Sequence, residues 1–241
     1  MSMTTLEATD RSGHFNALVV EPQKKPAGAV VVIQEIFGVN DAMRKTCDWI
    51  ADLGFIAICP DLFWRIEPGY AAGHDQDGLT RSLEVSSQFD AEQGVADAAV
   101  ALDHLAALPE VEGGLGIIGF CLGGTIAYFL AAQTTPYVVV SFYGSGVPDN
   151  TGALDGITSP LQFHFGGSDA YIPRDQVARV EAAAAGKSNV EIHVEEDAGH
   201  AFHNRKSAMF HMPEPAARAW QRTEEFLHRH LPARQSATPG S

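Results

Sequence analysis

Gly119-Phe120-Cys121-Leu122-Gly123-Gly124 sets a sulfur nucleophile two residues from a glycine on either side. That spacing belongs to a sharp strand-to-helix turn from which one side chain projects beyond the end of a sheet. Small residues at the flanking positions let strand and helix pack closely around a strained nucleophile. Cys121 would also stand at a helix N-terminus, where the peptide dipole favours thiolate over thiol. Cys47 and Cys59 lie in apolar stretches without such a turn and read as core residues.

Two later segments supply what a thiol needs. FGGSDAYIP (165–173) puts Asp169 in a loop after an apolar strand, and EEDAGHAFH (195–203) puts His200 in a loop after the last one. Cys121, Asp169, His200 is the chain order nucleophile, acid, base, each residue following the carboxyl end of a strand. Asp169 would fix the His200 tautomer so that the other ring nitrogen takes the thiol proton, and attack on a carbonyl would give a thioester. The oxyanion would need backbone N–H donors, expected from Leu122 after the nucleophile and Ile36 after an earlier strand. Glu35 ends a strand that is otherwise Val, Val, Val, Ile. A carboxylate at a buried site must be paired, and its position beside the oxyanion loop predicts contact with Cys121.

Five metal-capable side chains, His193, Glu195, Glu196, His200 and His203, are close in sequence but carry no HExxH spacing. Strand alternation turns His193 and Glu195 away from Glu196, so no metal is expected. His164, in mid-strand, reads as a core histidine.

The elements that must position these residues alternate strand with helix from about residue 30 onward, which predicts a mainly parallel α/β sheet covered on both faces. Strands are expected at 29–34, 55–59, 115–120, 137–143, 161–165 and 190–195, with 15–21 as an antiparallel edge. Helices are expected from Asn40 or Asp41 to about 53, from a cap at Asp90, from the turn at 121–124 to about 133, at about 173–185 and at about 215–230. Residues 61 to 86, with Pro68, Gly69, Gly73 and Gly78, show no sustained periodicity and read as a long functional loop at the rim of a site. One domain over 1–231 and a disordered tail over 232–241 are the expected organisation.

Composition narrows the function classes. A hydrophobic share of 45% with 19% charged residues suits a soluble globular chain. A net charge of −14 argues against nucleic acid as a partner. Residues 113–148 lack any Asp, Glu, Lys or Arg, but Gly119, Gly123 and Gly124 divide the run into a strand and a helix rather than a membrane span. Three scattered cysteines and no basic-then-apolar start point to the cytoplasm.

With QEIFGVN (34–40), CPDLF (59–63), GFCLGG (119–124), Tyr143-Gly144, GGSDAYIP (166–173) and AGHAF (198–202), the chain resembles the dienelactone hydrolases, or carboxymethylenebutenolidases, over about residues 15 to 231. The resemblance implies an α/β-hydrolase fold and a monomeric, cofactor-free cytoplasmic enzyme acting on a small ester or lactone. It implies Cys121, His200 and Asp169 as the triad, Ile36 and Leu122 as oxyanion donors, and Glu35 as a group that holds the thiol in check until substrate displaces it. It further implies substrate contacts at Phe37, Tyr143 and Phe202, and a carboxylate clamp of two arginines. Arg81 matches the first of these. Asn204 stands where the family has the second, with Arg205 one place further. Ala201 replaces a serine, Phe142 a tyrosine, and Glu84 or Val85 another tyrosine. The same triad would also suit thioesters or peptides, and the same fold could serve a non-catalytic binding protein.

Overall fold

The computed structural model describes residues 1–24, 28–111 and 113–231; the expected tail at 232–241 lies outside them. Eight strands form one sheet: β1 (Ser2–Glu7), β2 (His14–Val20), β3 (Gly28–Ile33), β4 (Phe55–Pro60), β5 (Leu115–Phe120), β6 (Val138–Phe142), β7 (Leu161–Gly166) and β8 (Val190–Glu195). They lie in the order β1-β2-β4-β3-β5-β6-β7-β8, with β2 antiparallel to both β1 and β4 and every other pairing parallel. Every residue of β3, β4, β6 and β7 is buried. This is why β3 and β4 read as unbroken apolar runs, the mark of a parallel sheet covered on both faces, while β6 and β7 carry Ser141, Gln162 and His164 among their apolar residues.

The helices are α1 (Asp41–Asp52), α2 (Gln76–Ser86), α3 (Ala91–Ala106), α4 (Leu122–Gln133), α5 (Arg174–Ala184) and α6 (Pro213–His230). Asn40 caps α1 by accepting from the Ala42 and Met43 N–H groups, and Asp90 caps α3 through Glu92 and Gln93. On one face α1 meets α6 through Trp49 and Trp220, whose rings lie 4.1 Å apart; α3 packs against α4 elsewhere on the sheet. After β4 the chain crosses back past β3 to form β5. The carboxyl ends of β3 and β5 therefore flank the point where strand order reverses, the usual place for a ligand site in an open α/β sheet.

Two expectations change. The strand at 15–21 is not the edge, because β1 pairs outside it; β1 buries only Leu6, so its sequence has no apolar alternation to reveal it. The expected loop at 61–86 contains α2 in its second half, capped by Asp75 through the Gly78 N–H. Gly78 and Thr80 weaken its intrinsic helical signal, and just two of its eleven residues are buried.

Candidate active site

Cys121 joins β5 to α4 in a left-handed conformation, φ 54°. An added Cβ on Gly119 would strike the Gly123 carbonyl, and one on Gly123 would strike the Ile33 carbonyl, so strand, turn and helix approach too closely for any side chain. Tyr143 at the end of β6 (φ 36°) and Ala201 beside His200 (φ 55°) are left-handed as well. Three of the four described non-glycine residues with positive φ thus border one site, the clustering expected where geometry is held against local cost.

The turn brings Cys121 Sγ to 3.1 Å from His200 Nε2, and His200 Nδ1 lies 2.7 Å from Asp169 Oδ2. Asp169 Oδ1 accepts from the Tyr171 and Ile172 N–H groups at 2.7 and 3.2 Å, which fixes the carboxylate in its loop. Burial disfavours a charged imidazole, but the Cys121 sulfur and the Asp169 carboxylate outweigh it and raise the His200 pKa well above 6.5. No acceptor occupies the Ile36 or Leu122 N–H among the described residues, so both are free to donate.

Glu35 departs from expectation. Its carboxylate accepts from Tyr143 Oη at 3.3 Å and Asn204 Nδ2 at 2.9 Å, with His74 Nε2 at 3.3 Å; Cys121 is not among its hydrogen-bond partners. The Tyr143 hydroxyl also bonds His203 Nδ1. Burial alone would raise the Glu35 pKa, but the His74 hydrogen bond and the histidines around it hold it below the usual carboxylate value. Burial pushes His203 down to about 4, so it is neutral near pH 7 and acts there as a hydrogen-bond partner.

A cavity of about 240 Å³ opens on Cys121 and His200, lined by Glu35, Ile36, Phe37, Leu79, Leu83, Ser145, Tyr171, Ala201 and Phe210. It combines an apolar wall with a few convergent polar groups, the usual make-up of a small-molecule site. A model of the dienelactone hydrolase family matches residues 15–231. The chain belongs to this family. It is 36% identical to a carboxymethylenebutenolidase of Pseudomonas putida over 217 residues, covering 89% of this chain and 92% of that one. Another carboxymethylenebutenolidase, from Cupriavidus pinatubonensis, is 32% identical over 207 residues, 85% and 88% of the two chains. The crystal structure of a candidate dienelactone hydrolase from Klebsiella pneumoniae superposes with a TM-score of 0.76 at 27% identity, covering 95% of this chain and all of that one.

Against the family pattern, the arginine clamp does not form. Leu79 and Leu83, one helical turn apart on α2, face the cavity; Arg81 lies midway between them, leaves on the opposite side and pairs with Glu67 and Glu84. Arg205 lines a different cavity, of about 290 Å³, with Lys45, Lys206, Trp49 and Trp220, while its neighbour Asn204 turns inward to Glu35. Phe37 borders the catalytic cavity as expected. Tyr143 and Phe202 are fully buried behind it, their rings 5.8 Å apart.

Sequence reasoning missed Leu79, Leu83 and Phe210, which lie in segments with no legible periodicity, and the partners His74, His203 and Asn204. Tyr171 could have been found, since it sits two places after Asp169 and its ring lies 5.0 Å from His200. The sequence cluster of metal-capable residues is dispersed: Glu195 binds Arg218 and Arg222 of α6, Glu196 pairs with Arg174 and His200 with Asp169. Among the described residues no three His, Cys, Asp or Glu side chains are arranged to hold a metal, and no helix is long and apolar enough to cross a membrane. His164 is buried as expected and bonded through Nε2 to Gln162 and Thr223, but it is not the fully satisfied core histidine expected, because its buried Nδ1 has no hydrogen-bond partner among the described residues.

Proposed function

We propose that this chain hydrolyses small carboxylic esters or lactones through a thioester on Cys121. The supporting observation is the unbroken succession from Cys121 Sγ to His200 at 3.1 Å and from His200 to Asp169 at 2.7 Å, at the floor of a cavity. The family relationship points to the same class of reaction.

His200 takes the thiol proton, and the sulfur adds to the substrate carbonyl carbon. The oxyanion is stabilised by the Ile36 and Leu122 N–H groups, and collapse breaks the carbon–oxygen bond. The departing alkoxide takes the proton from His200. A water then gives its proton to the same nitrogen, adds to the thioester carbonyl and expels the thiolate, releasing the acid. Asp169 keeps the ring in the required tautomer and stabilises its charged form. The proposal takes the enzyme to be a cytoplasmic monomer that needs no metal or other cofactor.

The test pairs kinetics with mass spectrometry. With an activated aryl ester, the wild-type chain should show an acyl adduct on Cys121, and Cys121→Ala should lose turnover by at least about a thousandfold, as expected for a removed nucleophile. Near-wild-type turnover by Cys121→Ala would overturn the assignment. Absence of both adduct and turnover across esters, lactones, thioesters and peptides would indicate a binding protein instead.

A further inference from the structure

Among the described residues, no lysine or arginine lines the catalytic cavity, and the catalytic His200 is its one basic side chain. Phe37, Leu79, Leu83, Tyr171 and Phe210 supply its apolar surface. Both arginines that could have held a substrate carboxylate are committed elsewhere, Arg81 between Glu67 and Glu84 and Arg205 in the neighbouring cavity. The position at which the family resemblance expects a second arginine is Asn204, and its amide is engaged with Glu35. Glu35 itself borders the cavity. A substrate carboxylate would therefore lose its hydration beside an apolar wall and a fixed anion, with no lysine or arginine to pair with and with His200 engaged by Asp169 and Cys121, and burying an unpaired charge is strongly unfavourable.

We infer that the site selects esters and lactones whose group beside the scissile carbonyl is uncharged and apolar, and that it disfavours carboxylate-bearing substrates. This rests on the hydrolase reading above and goes beyond it by fixing the substrate class. Leu79 and Leu83 set the preference, since they occupy the α2 face that an anion would have to meet. The cavity, at about 240 Å³, falls below the ~300–1,000 Å³ of drug-sized sites and suits a short acyl chain or a small ring. Glu35 strengthens the selection because its hydrogen-bond partners keep it ionised near neutral pH.

The deciding experiment compares 4-nitrophenyl hexanoate with the mono-4-nitrophenyl ester of adipic acid, which carries a carboxylate at the end of an equally long acyl chain. Spontaneous hydrolysis is subtracted for each. The neutral ester should have the higher kcat/KM by about tenfold or more, the scale set by an unpaired charge at a partly desolvated site. Leu83 is half exposed, so Leu83→Arg can be accommodated. It should raise kcat/KM for the adipate ester by about tenfold, whereas Leu83→Gln, polar but uncharged, should not. An adipate rate equal to or above the hexanoate rate, lost in Cys121→Ala, overturns this inference and leaves the hydrolase reading standing. No turnover of either ester, or turnover indifferent to Cys121→Ala, overturns both.

Discussion

Asn204 donates from Nδ2 to Glu35 Oε2 at 2.9 Å, joining residues 169 positions apart in the chain. The contact explains why the Glu35 carboxylate turns to Tyr143 and Asn204 while the Cys121 thiol turns to His200. Asn204 is buried, so truncating it leaves a buried carboxylate oxygen short of a donor. Asn204→Ala should destabilise the fold by about 1–3 kcal/mol, read as a lower denaturant midpoint at unchanged slope. Because the Glu35 pKa is lowered on folding, its contribution is present above the ordinary value near 4.5 and lost as pH falls through the depressed one. An acid stability profile of Glu35→Gln that follows wild type through that range would contradict this.

His200 has the opposite linkage. Its pKa is raised well above 6.5, so the charged ring stabilises the fold fully below about 6.5, and that contribution is lost as pH rises through the folded value. The kinetic limb that reports His200 deprotonation should lie above 6.5. Asp169→Asn removes one of the groups that raise the pKa and should move the limb downward, together with a large fall in kcat. Titration of the imidazole by NMR in both proteins measures the shift directly, and an unmoved pKa would rule out Asp169 as its partner.

The turn at Cys121 should tolerate no side chain at position 119. Gly119→Ala places a methyl group against the Gly123 carbonyl, backbone on backbone, with no flexible atom to yield. A loss in the upper range for single substitutions, about 3–5 kcal/mol, is expected on thermal or denaturant unfolding. Wild-type stability in this variant would show that the turn is looser than described.

Arg81 is about half exposed and paired with two surface glutamates, and Arg205 faces a separate cavity. Arg81→Ala and Arg205→Ala should each leave kcat/KM for a neutral ester within about twofold of wild type, since surface ion pairs of this kind contribute little. A selective tenfold rise in KM for a carboxylate-bearing ester would instead restore the arginine clamp.

By itself the sequence determined the alternation of strand and helix, the strained turn at Cys121 and the loops carrying Asp169 and His200. Each of these is written locally, as an apolar run, a glycine spacing or a strand-end loop, and each lies within a few residues of where it was read. Tertiary structure alone decided which groups Glu35 would meet and which side of residues 76–86 would face the substrate. Arg81 shows the reason. Without the turns of α2 its direction has no meaning, and once the helix forms, a two-residue step from Leu79 carries it about 200° around the axis and away from the cavity. The Glu35 partners are hidden for a related reason, since His74, Tyr143 and Asn204 come from separate segments that meet when the sheet orders its strand ends.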